Sequence, residues 1–78
     1  MTVRVSVMSR EHCPECVRAV ADVRHVCEEL GVAWEVCDVD ADPEWRAEYG
    51  DHLPVILVDG QEHGFWYVEP ERLRDALA

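Results

Sequence analysis

The chain has 78 residues, 49% of them hydrophobic, and a formal net charge of −10 from 17 acidic against 7 basic residues. That length allows one small domain over residues 1–78, near the size at which a single core can hold a fold, and the charge opposes nucleic acid or an anionic membrane as partner. No apolar run reaches the length of a membrane span, and the N-terminus lacks the apolar stretch and cleavage site of a signal peptide, so a reducing, cytoplasmic setting is expected.

Val3, Val5 and Val7 alternate with Arg4 and Ser6, and Met8 closes the segment, which is the period of a half-buried strand. Ser9 to His12 form a short polar loop. From Pro14, suited to a first helical turn, a stripe of Cys16, Val20, Val23, Cys27 and Leu30 recurs at helical spacing until Gly31 supplies a stop. Val32 to Val39 reads as a second strand. Asp42-Pro43-Glu44 then opens a short helix ending at Gly50, with an N-cap, a first-turn proline and a first-turn acid. Leu53 to Val58 is a third strand with a proline only at its start, Asp59-Gly60 a hairpin turn, and a fourth strand passes through Phe65, Trp66 and Tyr67. Pro70 opens a last helix whose Leu73 and Leu77 face inward. The order β-α-β-α-β-β-α, with a crossover first and a hairpin later, predicts an α/β domain with one mixed sheet covered by helices on both faces.

The chemistry concentrates in Cys13-Pro14-Glu15-Cys16, at the junction between the first strand and the long helix. Two intervening residues bring both sulfurs within bonding distance in one helical turn, and a helix N-terminus offers free N–H groups and a positive dipole end to a thiolate. Cys13, at the exposed tip, is the expected nucleophile; Cys16, which starts the buried stripe, is the expected resolving thiol. Arg10 and a protonated His12 favour the thiolate, and Glu11 and Glu15 oppose it. Cys27 and Cys37 read as core residues. Trp34, Trp45 and Trp66 read as core or surface aromatics.

With this dithiol after strand one and Leu53-Pro54-Val55 opening strand three, the whole chain resembles the thioredoxin-fold glutaredoxins, most closely the small bacterial glutaredoxin-like proteins. The resemblance is carried by Ser9-Arg10 ahead of the dithiol, Asp38 to Glu44, Tyr49-Gly50 through Val55, and Asp59-Gly60. It implies a thioredoxin-like, glutaredoxin-like three-layer fold with a four-stranded mixed sheet in the order 4-3-1-2. It also implies a cis peptide before Pro54, which would turn the Leu53 backbone outward to pair with a substrate. In such proteins an Arg or Lys three residues before the first cysteine, a Thr-Val-Pro segment, and a Gly-Gly followed by an Asp hold glutathione. Arg10 fits; His52-Leu53-Pro54 and His63-Gly64-Phe65-Trp66 depart. Gly64-Phe65 is also similar to the redoxins that thioredoxin reductase reduces.

The expectation is therefore a monomeric thiol–disulfide oxidoreductase with no resident cofactor. Its catalytic residues are Cys13 and Cys16, and its substrate contacts come from Arg10, His12, Leu53 and Pro54. Its substrates would be protein or small-thiol disulfides. Its reductant would be of the thioredoxin-reductase type or a thiol, with glutathione or another low-molecular-weight thiol as a possible co-substrate. Two other classes compete: metal or iron–sulfur binding through the same cysteines, weakened by the lack of a second pair, and a non-catalytic binding module, which an intact dithiol counts against.

Overall fold

The computed structural model describes residues 2–78. The first strand, β1, spans Val5–Ser9. It begins later than the alternation from Val3 predicts, because Val3 is exposed at the margin. Pairing nonetheless reaches back to Arg4, whose N–H donates to the Ala33 carbonyl at 3.0 Å and whose carbonyl accepts from the Asp59 N–H at 2.8 Å.

Helix α1, Pro14–Leu30, starts with proline at a position where an N–H is dispensable and ends on Gly31, with φ 68° and ψ 32°. The Val32 N–H closes the last turn on the Cys27 carbonyl at 2.8 Å. Left-handed backbone at this point is free to glycine and costly to any residue with a Cβ. The buried face consists of Cys16, Ala19, Val23, Val26 and Cys27; Val20 is partly buried and Leu30 is exposed, so the expected stripe holds at three of its five positions.

Strand β2, Trp34–Asp38, runs parallel to β1 with Val7 beside Val36. A single 3₁₀ turn, Val39–Ala41, leads to helix α2, Pro43–Tyr49, capped by the Asp42 carboxylate on the Glu44 N–H at 2.8 Å. Strand β3, Val55–Val58, is antiparallel to β1, and strand β4, Gln61–Phe65, is antiparallel to β3 with an irregularity between Ile56 and Leu57. Asp59 and Gly60, with φ of 53° and 82°, form the two-residue turn between them, where the twist of a hairpin favours left-handed backbone. Helix α3, Pro70–Leu77, closes the domain. The sheet order is β2-β1-β3-β4, as expected, and β4 ends at Phe65 rather than continuing through Trp66 and Tyr67.

Val5, Val7 and Ile56 occupy one face of the sheet and pack with Ala19, Val23, Val26 and Cys27 of α1 and Leu73 and Leu77 of α3. Alternation along the strands sends Met8 and Val55 to the opposite face, where both are buried. Cys37, opposite Met8 on the edge strand β2, is only half-buried, because an edge strand has a neighbour on one side alone. This arrangement brings three things to one end of the sheet: the loop leaving β1, the N-terminus of α1 and the start of β3.

Candidate active site

Cys13 is the N-cap of α1, in extended backbone with φ −115° and ψ 99°. Its Sγ accepts the Cys16 N–H at 3.2 Å, so the sulfur fills the role that a serine or aspartate oxygen usually plays at a helix start. The two cysteines form a disulfide with Cα atoms 5.2 Å apart. Cys13 is half-buried and Cys16 is 1% exposed. Any reagent from solvent therefore meets Cys13 first. His12, immediately before the cap, is exposed and has φ 59°, a left-handed conformation that histidine tolerates better than most side-chain-bearing residues.

The Leu53–Pro54 peptide is cis, and Pro54 is buried. Since Met8 lies opposite Val55, Pro54 sits across from the residue at which β1 passes into the dithiol loop. The Pro54 carbonyl accepts the Trp66 N–H at 2.8 Å, while the Leu53 N–H and carbonyl make no backbone hydrogen bond among the described residues. Trp66, with φ 73°, stands 56% exposed, and its ring meets that of Phe65 edge-to-face at 4.9 Å. His52 meets the other side of this group, edge-to-face with Phe65 at 5.4 Å and with Nε2 3.4 Å from the Glu62 carboxylate. Phe65, Trp66, Tyr67 and Arg72 line an open groove of about 430 Å³.

Arg10 is not free. Its Nε and Nη2 donate to the two Asp40 oxygens at 2.9 and 3.1 Å, and Arg46 Nε donates to the same carboxylate at 3.2 Å. The paired arginines hold the Asp40 carboxyl below its ordinary range, and Asp40 raises Arg10 further. Sequence reasoning missed Asp40 because its partner lies thirty residues away; the only signal was its place in the acidic run after β2. Cys27 is fully buried and burial pushes its thiol up; Cys37 is pushed up by burial and by the neighbouring Glu35. Among the described residues no group of three or more His, Cys, Asp or Glu converges as metal ligands would, and no helix is long and apolar enough to cross a membrane.

A four-stranded mixed sheet with three helices, a disulfide in the first turn of α1 and a cis-proline facing it define a thioredoxin-fold dithiol protein. Residues 4–78 match the family described as Glutaredoxin-like domain (DUF836), and the chain belongs to that family. Two mycobacterial relatives are 40% identical over 80 residues, covering 96% of this chain and 82% of theirs: the uncharacterized proteins Rv0508 of Mycobacterium tuberculosis and Mb0520 of Mycobacterium bovis. Among solved structures, the target protein XcR50 from X. campestris superposes with a TM-score of 0.74 at 23% identity, covering 94% of this chain and 93% of that one. A single-site mutant of the thioredoxin-like protein BC3987 gives 0.61 at 25% identity over 97% and 96% of the two chains. Fasciola hepatica thioredoxin gives 0.61 at 24% identity over 94% and 75%.

Proposed function

We propose that the chain is a monomeric cytoplasmic thiol–disulfide oxidoreductase that uses Cys13 as nucleophile and Cys16 as resolving thiol. The observation that carries this reading is the asymmetry of the pair: Cys13 Sγ caps α1 at the accessible tip, and Cys16 is buried behind it. With the pair reduced, the Cys13 thiolate attacks a substrate disulfide. A Cys13–substrate bond forms, the substrate S–S bond breaks, and the leaving sulfur takes the electron pair and a proton. Cys16 then attacks Cys13 Sγ, closing the Cys13–Cys16 bond and releasing the second reduced substrate sulfur. Two electrons pass to the substrate in each cycle. The N–H of Cys16 and the helix N-terminus stabilise the Cys13 thiolate that makes the first attack. The free Leu53 N–H and carbonyl, presented beside Pro54, would pair with the backbone of an extended substrate segment. His12, exposed beside the cap, would contact the incoming substrate.

For re-reduction we favour a thioredoxin-reductase-type or other protein donor over glutathione. Two features support this: Arg10, the cation a tripeptide carboxylate would seek, already holds Asp40, and the net charge of −10 repels an anionic thiol. The decisive experiment is trapping. Cys16→Ser is expected to accumulate mixed disulfides with protein substrates and Cys13→Ser to trap none; equal trapping by both would remove the nucleophile assignment. Turnover run in parallel with NADPH plus thioredoxin reductase and with glutathione plus its reductase would test the donor.

A further inference from the structure

Arg10 and Arg46 bring two guanidinium groups to one carboxylate, Asp40, in contact with the loop that carries the dithiol. Arg46 also donates Nη2 to the Asp40 backbone carbonyl at 3.1 Å, so the site is held from α2 as well as from the loop after β1. Arg10 lies three residues before Cys13, within about 11 Å of chain. An open groove of about 260 Å³ beside it, lined by Ser9, Arg10, Glu11, Val36 and Asp38, has room for a small molecule. The carboxylates of Asp38 and Asp51 also act on Arg10. The five groups, Arg10, Arg46, Asp38, Asp40 and Asp51, therefore sum to −1, although two of them are arginines.

We propose that Asp40 is a specificity-determining residue: by holding Arg10 in a two-pronged ion pair backed by Arg46, it denies that cation to carboxylate-bearing small thiols approaching the Cys13–Cys16 disulfide. This deepens the oxidoreductase reading and rests on it for its biological consequence. Asp40 occupies the hydrogen-bonding fork of Arg10 as an external carboxylate would, so an anionic thiol must displace an internal anion held at high effective concentration. A neutral thiol needs no such exchange. Neutralising Asp40 changes the local sum from −1 to 0 and opens the fork.

The test is stoichiometric reduction of the oxidised full chain by 3-mercaptopropionate, which carries a carboxylate, and by 2-mercaptoethanol, which is neutral. The thiolate attacks Cys13 Sγ and forms a mixed disulfide, and the Cys13–Cys16 bond breaks with the electron pair leaving on Cys16, which takes a proton. A second thiolate releases Cys13 and leaves as the small-molecule disulfide. The readout is the ratio of the two second-order rates; since the same reagents meet every variant, their own acidities cancel. Asp40→Asn is expected to raise the anionic-to-neutral ratio about two- to fivefold at low salt, the size of a screened interaction with one unit charge. Asp40→Ala is expected to do the same without leaving an amide to hold Arg10. The gain is expected to vanish near 1 M salt and to fall by more than half when the Asp40 change is made on Arg10→Gln. No change in the ratio, or an equal change with and without Arg10, would overturn the proposal. Because this reduction requires no turnover, failure to reduce any substrate disulfide would sink the oxidoreductase reading while leaving this measurement intact.

Discussion

At the end of the sheet away from the dithiol, left-handed backbone falls on Gly31 and on the Asp59-Gly60 turn; at the dithiol end it falls on His12 and Trp66. The first set is Gly and Asp, for which such backbone is cheap; the second is His12, which tolerates it less readily than glycine, and Trp66, a large side chain for which it is costly. The far end also carries a plain staple: Arg4 holds both Asp59 oxygens, at 3.0 and 2.9 Å, and reaches the Leu77 carbonyl at 3.2 Å. Thus the far end turns the chain and ties β1, the hairpin and α3 together. The dithiol end keeps side chains where glycine would relieve strain, an arrangement that accumulates where a surface has to meet something.

The comparison can be tested in order of expected effect. Leu73→Ala empties a fully buried position beneath α3 and is expected to destabilise by about 2–5 kcal/mol in urea unfolding. Thiol accessibility at Cys13 in the molecules that remain folded should be unchanged; a large change there would mean that core and site are not separable. Gly31→Ala puts a Cβ on left-handed backbone and is expected to cost about 1–2 kcal/mol. His12→Gly should have the opposite sign or stay within about 0.5 kcal/mol of the parent, since relief of strain there offsets the added freedom of the unfolded chain. If His12→Gly were as damaging as Gly31→Ala, the contrast between the two ends would collapse.

The smallest effects are in pH. His63, midway along β4, has its pKa lowered first by burial and then by Arg72. A base with a depressed folded pKa binds protons more readily when unfolded, so its contribution is complete above about pH 6.5 and is lost as pH falls. Asp59 is lowered by its hydrogen bond to Arg4, so its contribution is present above about pH 4 and is lost below it. Urea midpoints between pH 7 and 3 should therefore fall in two stages. His63→Gln should flatten the first stage, and Asp59→Asn should shrink the second, which Asp40 and Glu29 share because arginines lower them as well. A single stage insensitive to His63→Gln would show that β4 contributes nothing to the upper limb.

The element order and the dithiol were legible because they rest on local patterns: valine alternation in β1, Pro14 and Gly31 bounding α1, and a two-residue spacing between cysteines at the junction. The cis peptide at Pro54 followed from family resemblance, since nothing local distinguishes it from a trans strand start. Less legible was whatever depends on position in the sheet. Cys37 sits in a strand of strand-like composition, yet its burial is decided by β2 being an edge. Trp66 continues an aromatic run, but the chain leaves the sheet after Phe65 to bond the Pro54 carbonyl. Asp40 could be recognised only once the β1 loop and the 3₁₀ turn after β2 were known to meet.

Cys27 has a use that its lack of chemistry makes possible. It is wholly enclosed between α1 and the sheet, so an alkylating reagent reaches it only when that part of the domain opens. Cys37, half-buried at the sheet edge, reports the reagent's access to a partly open thiol. With Cys13 and Cys16 sequestered in their disulfide, timed alkylation followed by mass measurement would read the lifetime of the closed state from two native thiols, with no label introduced. Under conditions where reclosing outpaces alkylation, the Cys27 rate gives the free energy of opening; where alkylation outpaces reclosing, it gives the opening rate itself.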